Sequence, residues 1–367
     1  MLTRDKIKGM LIGGAIGDAW GMGVETWTPE KILEVHPNGL PRFVAPIGHK
    51  WFDPEKHPPG TTTDDTQLTI ATMRGLLDGK AAADQSRSFD DFMDAIAKAH
   101  CEAMQETDAG WGNTTREAIR RLQNGVSWRV SGKTSERHRG TGNGIPMKIS
   151  PLGAWYATPY GADLCDAKQG FNQRCVEYSA MTHYTQMSAQ AGIIHAHAVF
   201  FCLWSSPERF HRDDFFDLVS DCVWEWGEGK TEADRNDHTF YDVSHLNETE
   251  DNLKDQFVKL WQFRDEMTDE KIHELFGPGS CYVYESLPFS YAWFLRDWSS
   301  MQILQRVVEA GGDTDTNAKM VGEMLGALHG MSLFEREENK WAIEDLDDTV
   351  YTLVDLADEF CDAFGIE

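Results

Sequence analysis

Two short acidic clusters, one in the first quarter of the chain and one in the last, carry the residues best suited to chemistry. The first is Thr61-Thr62-Thr63-Asp64-Asp65-Thr66; the second is Gly311-Gly312-Asp313-Thr314-Asp315-Thr316. Each offers two carboxylates and flanking hydroxyls, all hard oxygen donors. Such donors, without histidine or cysteine, select Mg²⁺, Mn²⁺ or Ca²⁺ over zinc. Aspartate and threonine also cap the free N–H groups where a helix begins, and for one cluster alone that use would suffice. Two matching clusters point further, because four carboxylates brought together repel one another unless cations lie between them. A pair of such ions roughly 3.5–4 Å apart can bind and activate water. The expectation is that Asp64, Asp65, Asp313 and Asp315 converge on one site with one or two oxygen-coordinated cations.

Two further segments could serve that site. Gly17-Asp18-Ala19-Trp20-Gly21-Met22-Gly23-Val24-Glu25 lets the backbone pass close to a neighbour and ends in a carboxylate. Alone, Glu25 reads as a surface residue. The segment from Gly140 to Gly153 opens Gly140-Thr141-Gly142-Asn143-Gly144. A glycine-rich loop can turn backbone N–H groups toward phosphate oxygens, or it can simply be a turn. No Gly-Lys-Ser/Thr follows at the spacing of a Walker loop. His195 and His197 are two residues apart, so on a helix they face different ways and form no ligand pair.

The elements that must position these groups read as helices almost throughout. Ile7, Met10, Leu11, Ala15 and Ala19 recur at helical spacing, with Gly13, Gly14 and Gly17 offering close helix approach. Leu68, Ala71, Leu76 and Leu77 form a second stripe, with Gly79 placed as its stop. Phe89, Phe92, Met93, Ile96, Ala99 and Ala103 form a third. Thr114 followed by Glu117 has capping-box spacing, and Gly125 follows as a stop. The nearly uncharged run from about Cys175 to Trp204 predicts a buried central helix or helix pair. Met301 to Ala310, Thr316 to Phe334 and Val350 to Phe364 complete the helical set. With no alternating strands, the fold class is all-α. No linker divides the chain, so residues 1–367 read as one domain. Residues 229–298, acidic and rich in aromatics such as Trp261, Tyr282, Tyr284 and Trp293, read as an elaboration on it.

Composition narrows the partners. A net charge of −26 excludes a broad basic nucleic-acid footprint and a cationic membrane-surface protein. It leaves room for a small anionic ligand held by local groups. Seven scattered cysteines without a Cys-x-x-Cys pair suit a reducing compartment and argue against a zinc cluster. The apolar stretch from Met10 to Gly23 contains Asp18 and lacks a cleavage site, which argues against a signal peptide. With no apparent membrane span, the expected location is the cytoplasm.

Taken together, these segments resemble the ADP-ribosylglycohydrolase family. The residues that carry the resemblance are Gly13-Gly14-Ala15-Ile16-Gly17-Asp18 with Glu25, Thr63-Asp64-Asp65-Thr66, Gly142-Asn143-Gly144 with Pro151-Leu152, Thr182-His183, and Gly312-Asp313-Thr314-Asp315-Thr316-Asn317. The resemblance implies an all-α fold around a two-metal centre, with two Mg²⁺ ions expected and Mn²⁺ as a substitute. It implies Thr63, Asp64 and Asp65 as one half of the metal site and Asp313, Asp315 and Thr316 as the other. Glu25, Asp64 and Asp315 are the implied catalytic carboxylates. Gly142, Asn143, Gly144 and His183 are the implied contacts to ADP-ribose. The implied reaction is hydrolysis at C1″ of the distal ribose, first for arginine-linked ADP-ribose and alternatively for serine-linked or O-acetyl-ADP-ribose. A non-catalytic ADP-ribose-binding or structural relative is the reading from another class. Lys148 stands where many relatives have arginine, which keeps the charge but loses the bidentate fork.

Overall fold

The Arg4–Met22 helix begins at Thr3, whose side chain accepts from the Lys6 N–H. It runs antiparallel to the Thr314–His329 helix near its other end of the sequence. Gly9, Gly13, Gly17 and Gly21 recur every four residues and so share one face. They meet Gly326, Gly322, Ala318 and Asp315 in turn. A Cβ at Gly13 would stand 2.3 Å from the Gly322 carbonyl oxygen, and one at Gly17 2.2 Å from that of Ala318. Only small residues allow backbones so close. The consequence for the site is geometric: the C-terminal end of the first helix, and with it Glu25, lies beside Asp313 and Asp315. Two backbone hydrogen bonds lock that junction, Thr26 N–H to the Gly312 carbonyl at 2.7 Å and Gly312 N–H to that of Trp27 at 3.0 Å.

This computed structural model describes residues 1–367 except 108–109, 137–138, 166–167 and 228–241. Among the described residues there are helices and two isolated bridges but no strand, as the all-α reading requires. The first acidic pair, Asp64 and Asp65, stands at the start of the Asp64–Ser86 helix, capped by Thr63. That helix packs against Asp90–Glu106 and Thr349–Phe364. The uncharged run resolves into a pair, Lys168–Thr182 and Gln186–Trp204. Gln186–Trp204 is long and apolar enough to cross a membrane, contrary to the expectation of no such segment, yet it is mostly buried among the other helices. Pro146–Tyr156 lies against it, with Gly153 close to Ala196.

Three local expectations change. Gly79 does not stop its helix, which continues to Ser86 and ends with Arg87 in the left-handed conformation. Gly79 instead admits the neighbouring helix: a Cβ there would meet Phe92 Cα at 2.8 Å. Thr114 is not a cap, because Asn113–Gln123 begins after Gly112 with no side-chain capping bond. The helix read as Thr316 to Phe334 ends at His329 and is followed by a 3₁₀ turn, Met331–Leu333. Within 229–298, Tyr241 lies outside the described residues. The rest supplies three helices, Leu253–Gln262, Asp269–Phe276 and Val283–Arg296, the last with Tyr291 and Trp293 fully buried.

Candidate active site

Both acidic helix starts open into one cavity of about 360 Å³. Glu25, Asp64, Asp65, Gly142, Asn143, Gly144, His183, Asp313, Asp315 and Thr316 all line it. Of the residues implied for the site, Thr63 alone stands behind the wall; its hydroxyl lies 3.3 Å from Asp65 Oδ2. Thr316 Oγ1 donates to the same oxygen at 3.3 Å, so the two clusters meet at Asp65. Carboxylate oxygens of Glu25, Asp313 and Asp315 lie within 4.8 Å of one another.

This arrangement is electrostatically unfavourable without a counter-charge. Burial, then repulsion from Glu25 and Asp18, pushes Asp64 well above the usual carboxylate range. Burial, then Asp18 and Asp64, does the same to Asp65, and burial with Glu25 and Asp313 to Asp315. Burial also raises Asp313 and Glu25. Asp65 Oδ1 is buried without a hydrogen-bond partner. An orphaned anionic oxygen among crowded carboxylates and a threonine hydroxyl fits hard divalent cations.

Several groups hold this constellation. Asp18 is fully buried, and its carboxylate accepts from the backbone N–H groups of Thr63 and Thr66 and from the Thr66 hydroxyl. It thereby pins the Asp64–Ser86 helix start against the first helix. Asn143 Nδ2 donates to Asp313 Oδ2 at 2.7 Å, so the residue expected at the ligand also fixes a carboxylate. The loop around it is tied by Asn143 N–H to the Cys281 carbonyl at 3.0 Å. His49 Nδ1 accepts from the backbone N–H groups of Trp51 and Phe52, each at 3.2 Å. The ring proton is therefore on Nε2, which faces Glu25 Oε2 at 3.2 Å.

Deeper in the core, Lys319 Nζ pairs with Glu323 Oε1 at 3.0 Å, and His195 Nε2 lies 3.0 Å from Glu323 Oε2. Burial pushes Glu323 up, but Lys319, His195 and Ser150 outweigh it and hold it below its ordinary value. His197 faces Asn172 instead, so the two histidines do point apart. The sequence reading passed over His49, Lys319 and Glu323; of these only the i,i+4 spacing of Lys319 and Glu323 is visible along the chain. Arg137 and His138 lie outside the described residues; Arg139 pairs with Glu117 and Glu136.

The glycines of the loop are not equivalent. A Cβ at Gly142 would have only the Cys281 carbonyl oxygen near, at 3.5 Å, which is ordinary contact. At Gly144 it would stand 2.5 Å from His183 Cε1. Gly144→Ala is therefore expected to displace the His183 ring and weaken ADP-ribose about tenfold or more, while Gly142→Ala changes it little. Calorimetric titration of ADP-ribose into both variants checks this, with circular dichroism as the folding control. Equal affinities would detach the loop from the ligand.

Comparison with known proteins gives the family and the fold. The sequence profile of the family described as ADP-ribosylglycohydrolase matches residues 1–366. ADP-ribosylhydrolase ARH3 of Homo sapiens is 24% identical over 361 residues, covering 90% of this chain and 86% of its own. The uncharacterised protein YegU of Escherichia coli K12 is 23% identical over 343 residues, covering 91% and 90%. A solved structure described as an ADP-ribosylglycohydrolase-related protein complex superposes with a TM-score of 0.61 at 21% identity, covering 98% of both chains, and so shares the fold. With the profile spanning essentially the whole chain, this protein belongs to the ADP-ribosylglycohydrolase family and is a hydrolase of that family.

Proposed function

We propose that the protein hydrolyses the glycosidic bond at C1″ of the distal ribose of ADP-ribosylated substrates, with arginine-linked ADP-ribose first among them. The observation that carries this reading is the one cavity lined by both the carboxylate cluster and Gly142, Asn143, Gly144 and His183. The cluster suits the reacting ribose, and the loop side suits the diphosphate. Glu25 and the half-exposed Trp51 indole border the same cavity, and a carboxylate beside an aromatic face suits a guanidinium acceptor. No nucleic-acid or membrane partner is assigned. The seven cysteines form no disulfide, which supports placing the protein in the cytoplasm.

The residues fit divalent cations, and we assign two Mg²⁺ ions, replaceable by Mn²⁺, to Asp64, Asp65, Asp313, Asp315 and Thr316, with Thr63 orienting Asp65 from behind. Bound cations supply binding of the ribose hydroxyls and a lowered pKa for water. Asn143 keeps Asp313 turned toward the cluster. Glu25 accepts the proton of the attacking water as an oxocarbenium-like transition state develops at C1″. His49 Nε2–H faces the Glu25 carboxylate at 3.2 Å. The backbone N–H groups of Gly142 and Gly144, together with His183, bind the diphosphate, which a protein of net charge −26 must hold by local groups.

The deciding experiment measures release of ADP-ribose from defined arginine-, serine- and acetyl-linked substrates, with Mg²⁺ and with chelator. Metal-dependent release, fastest from the arginine linkage, is the expected result. Faster release from an O-linked substrate would move the assignment to that acceptor. Binding without release from any of them would make the protein a non-catalytic ADP-ribose binder.

A further inference from the structure

Lys148 is fully buried in the Pro146–Tyr156 helix, beneath the loop that borders the cleft. Its Nζ donates to Thr182 Oγ1 at 3.1 Å, and the Tyr178 ring centroid is 5.8 Å away. The same Thr182 oxygen lies 3.0 Å from His183 Nδ1. An ammonium has N–H donors and no acceptor, and a hydroxyl has one proton to give. Facing Lys148, the Thr182 oxygen accepts, and its proton turns to the remaining neighbour, His183 Nδ1.

The state of His183 makes that direction matter. Burial, and then the Lys148 charge, pushes its pKa down to about 3, so the imidazole is neutral at working pH. A neutral ring carries one proton on one of two nitrogens, and the partner of one nitrogen decides the state of the other. With Nδ1 accepting, the proton is on Nε2. That nitrogen lies at the cavity wall beside Gly144, where an added Cβ would be 2.8 Å from it.

We propose that Lys148 and Thr182 are positioning residues that hold His183 in its Nε2–H tautomer, and so present the cleft with a neutral hydrogen-bond donor for a diphosphate oxygen. The proposal rests on the reading that the cleft takes ADP-ribose, and it adds the reason the histidine is directed as a donor. A phosphate oxygen only accepts at neutral pH. The opposite tautomer would turn a lone pair toward it and repel it. Burial brings the Lys148 pKa down to about 7; it is the ammonium form, with no lone pair, that fixes the Thr182 oxygen as its acceptor.

The test reads the tautomer directly. Two-dimensional ¹H–¹⁵N spectra of the histidine rings in the ligand-free protein, with His183 assigned by His183→Gln, should show Nε2 protonated and Nδ1 bare. Thr182→Val keeps the shape and removes the hydroxyl; it should leave a mixture of tautomers and weaken ADP-ribose about tenfold. Lys148→Met should do the same, and Thr182→Ser should restore both readouts. An Nδ1–H tautomer in the parent, or an unchanged Nε2–H tautomer in Thr182→Val, overturns the proposal. Because the spectra need no ligand, a parent protein that ignores ADP-ribose would defeat the functional reading and leave the tautomer result standing.

Discussion

Replacing Asp315 with alanine is expected to lower kcat/KM by about a hundredfold or more and, at the same time, to stabilise the metal-free protein. Asp315 is buried in a cluster with Glu25 and Asp313, and their repulsion adds to burial in raising its pKa. A carboxylate whose pKa is higher in the folded than in the unfolded state binds its proton more tightly when folded. Folding is then favoured at low pH, and stability falls as pH rises past the unfolded value of about 4. The full penalty stands above the folded pKa. The chelated parent should accordingly melt at a lower temperature at pH 7 than at pH 5, and Mg²⁺ should reverse the loss. Asp315→Ala removes one of the repelling charges, so its chelated form should melt above the chelated parent, and the rise on adding Mg²⁺ should shrink. Thermal melts at both pH values, with and without chelator, check this. An Asp315→Ala protein with a lower metal-free Tm and an undiminished Mg²⁺ response would remove Asp315 from the cation site.

Glu25→Gln is expected to reduce kcat by about a hundredfold or more while ADP-ribose affinity changes little. Glutamine keeps the size of the side chain and its acceptor oxygen facing His49, but it cannot take a proton. Burial and the nearby Asp313 and Asp18 raise the Glu25 pKa, while His49 opposes them. A base with a raised pKa loses activity as pH falls through that value, because the protonated form cannot accept. The parent should therefore show an acidic limb in its kcat profile that Glu25→Gln lacks. Single-turnover rates across pH, set beside ADP-ribose titrations, separate the two effects. Equal rates in the variant and the parent would leave proton transfer to an aspartate; loss of binding alone would make Glu25 a ligand contact.

What the sequence determined by itself was local. Helical spacing marked the glycine face at Gly13 and Gly17, and the two acidic helix starts were visible because Asp and Thr beside an apolar stripe form a pattern of a few residues. Their meeting at one cavity was expected from their matching composition and the family resemblance, since charge alone would keep two acidic clusters apart unless cations lie between them. Local signals failed where a distant partner decided the outcome. Gly79 has the look of a helix stop, but the Phe92 backbone occupies the space a side chain would need, so the glycine serves packing. Thr114 has capping spacing, but the helix had already begun at Asn113. Asp18 holds the first turn of a helix that starts 46 residues later, at Asp64. His49 faces Glu25 because its own following backbone amides fix the ring. Lys148 was read from sequence as a cation standing where many relatives have arginine; the fold buries it and turns one of its N–H donors to Thr182 Oγ1. Spacing along the chain sets which face of a helix a residue occupies. Which acceptor a buried donor finds depends on what the other helices bring to that face, and that is decided only when they pack.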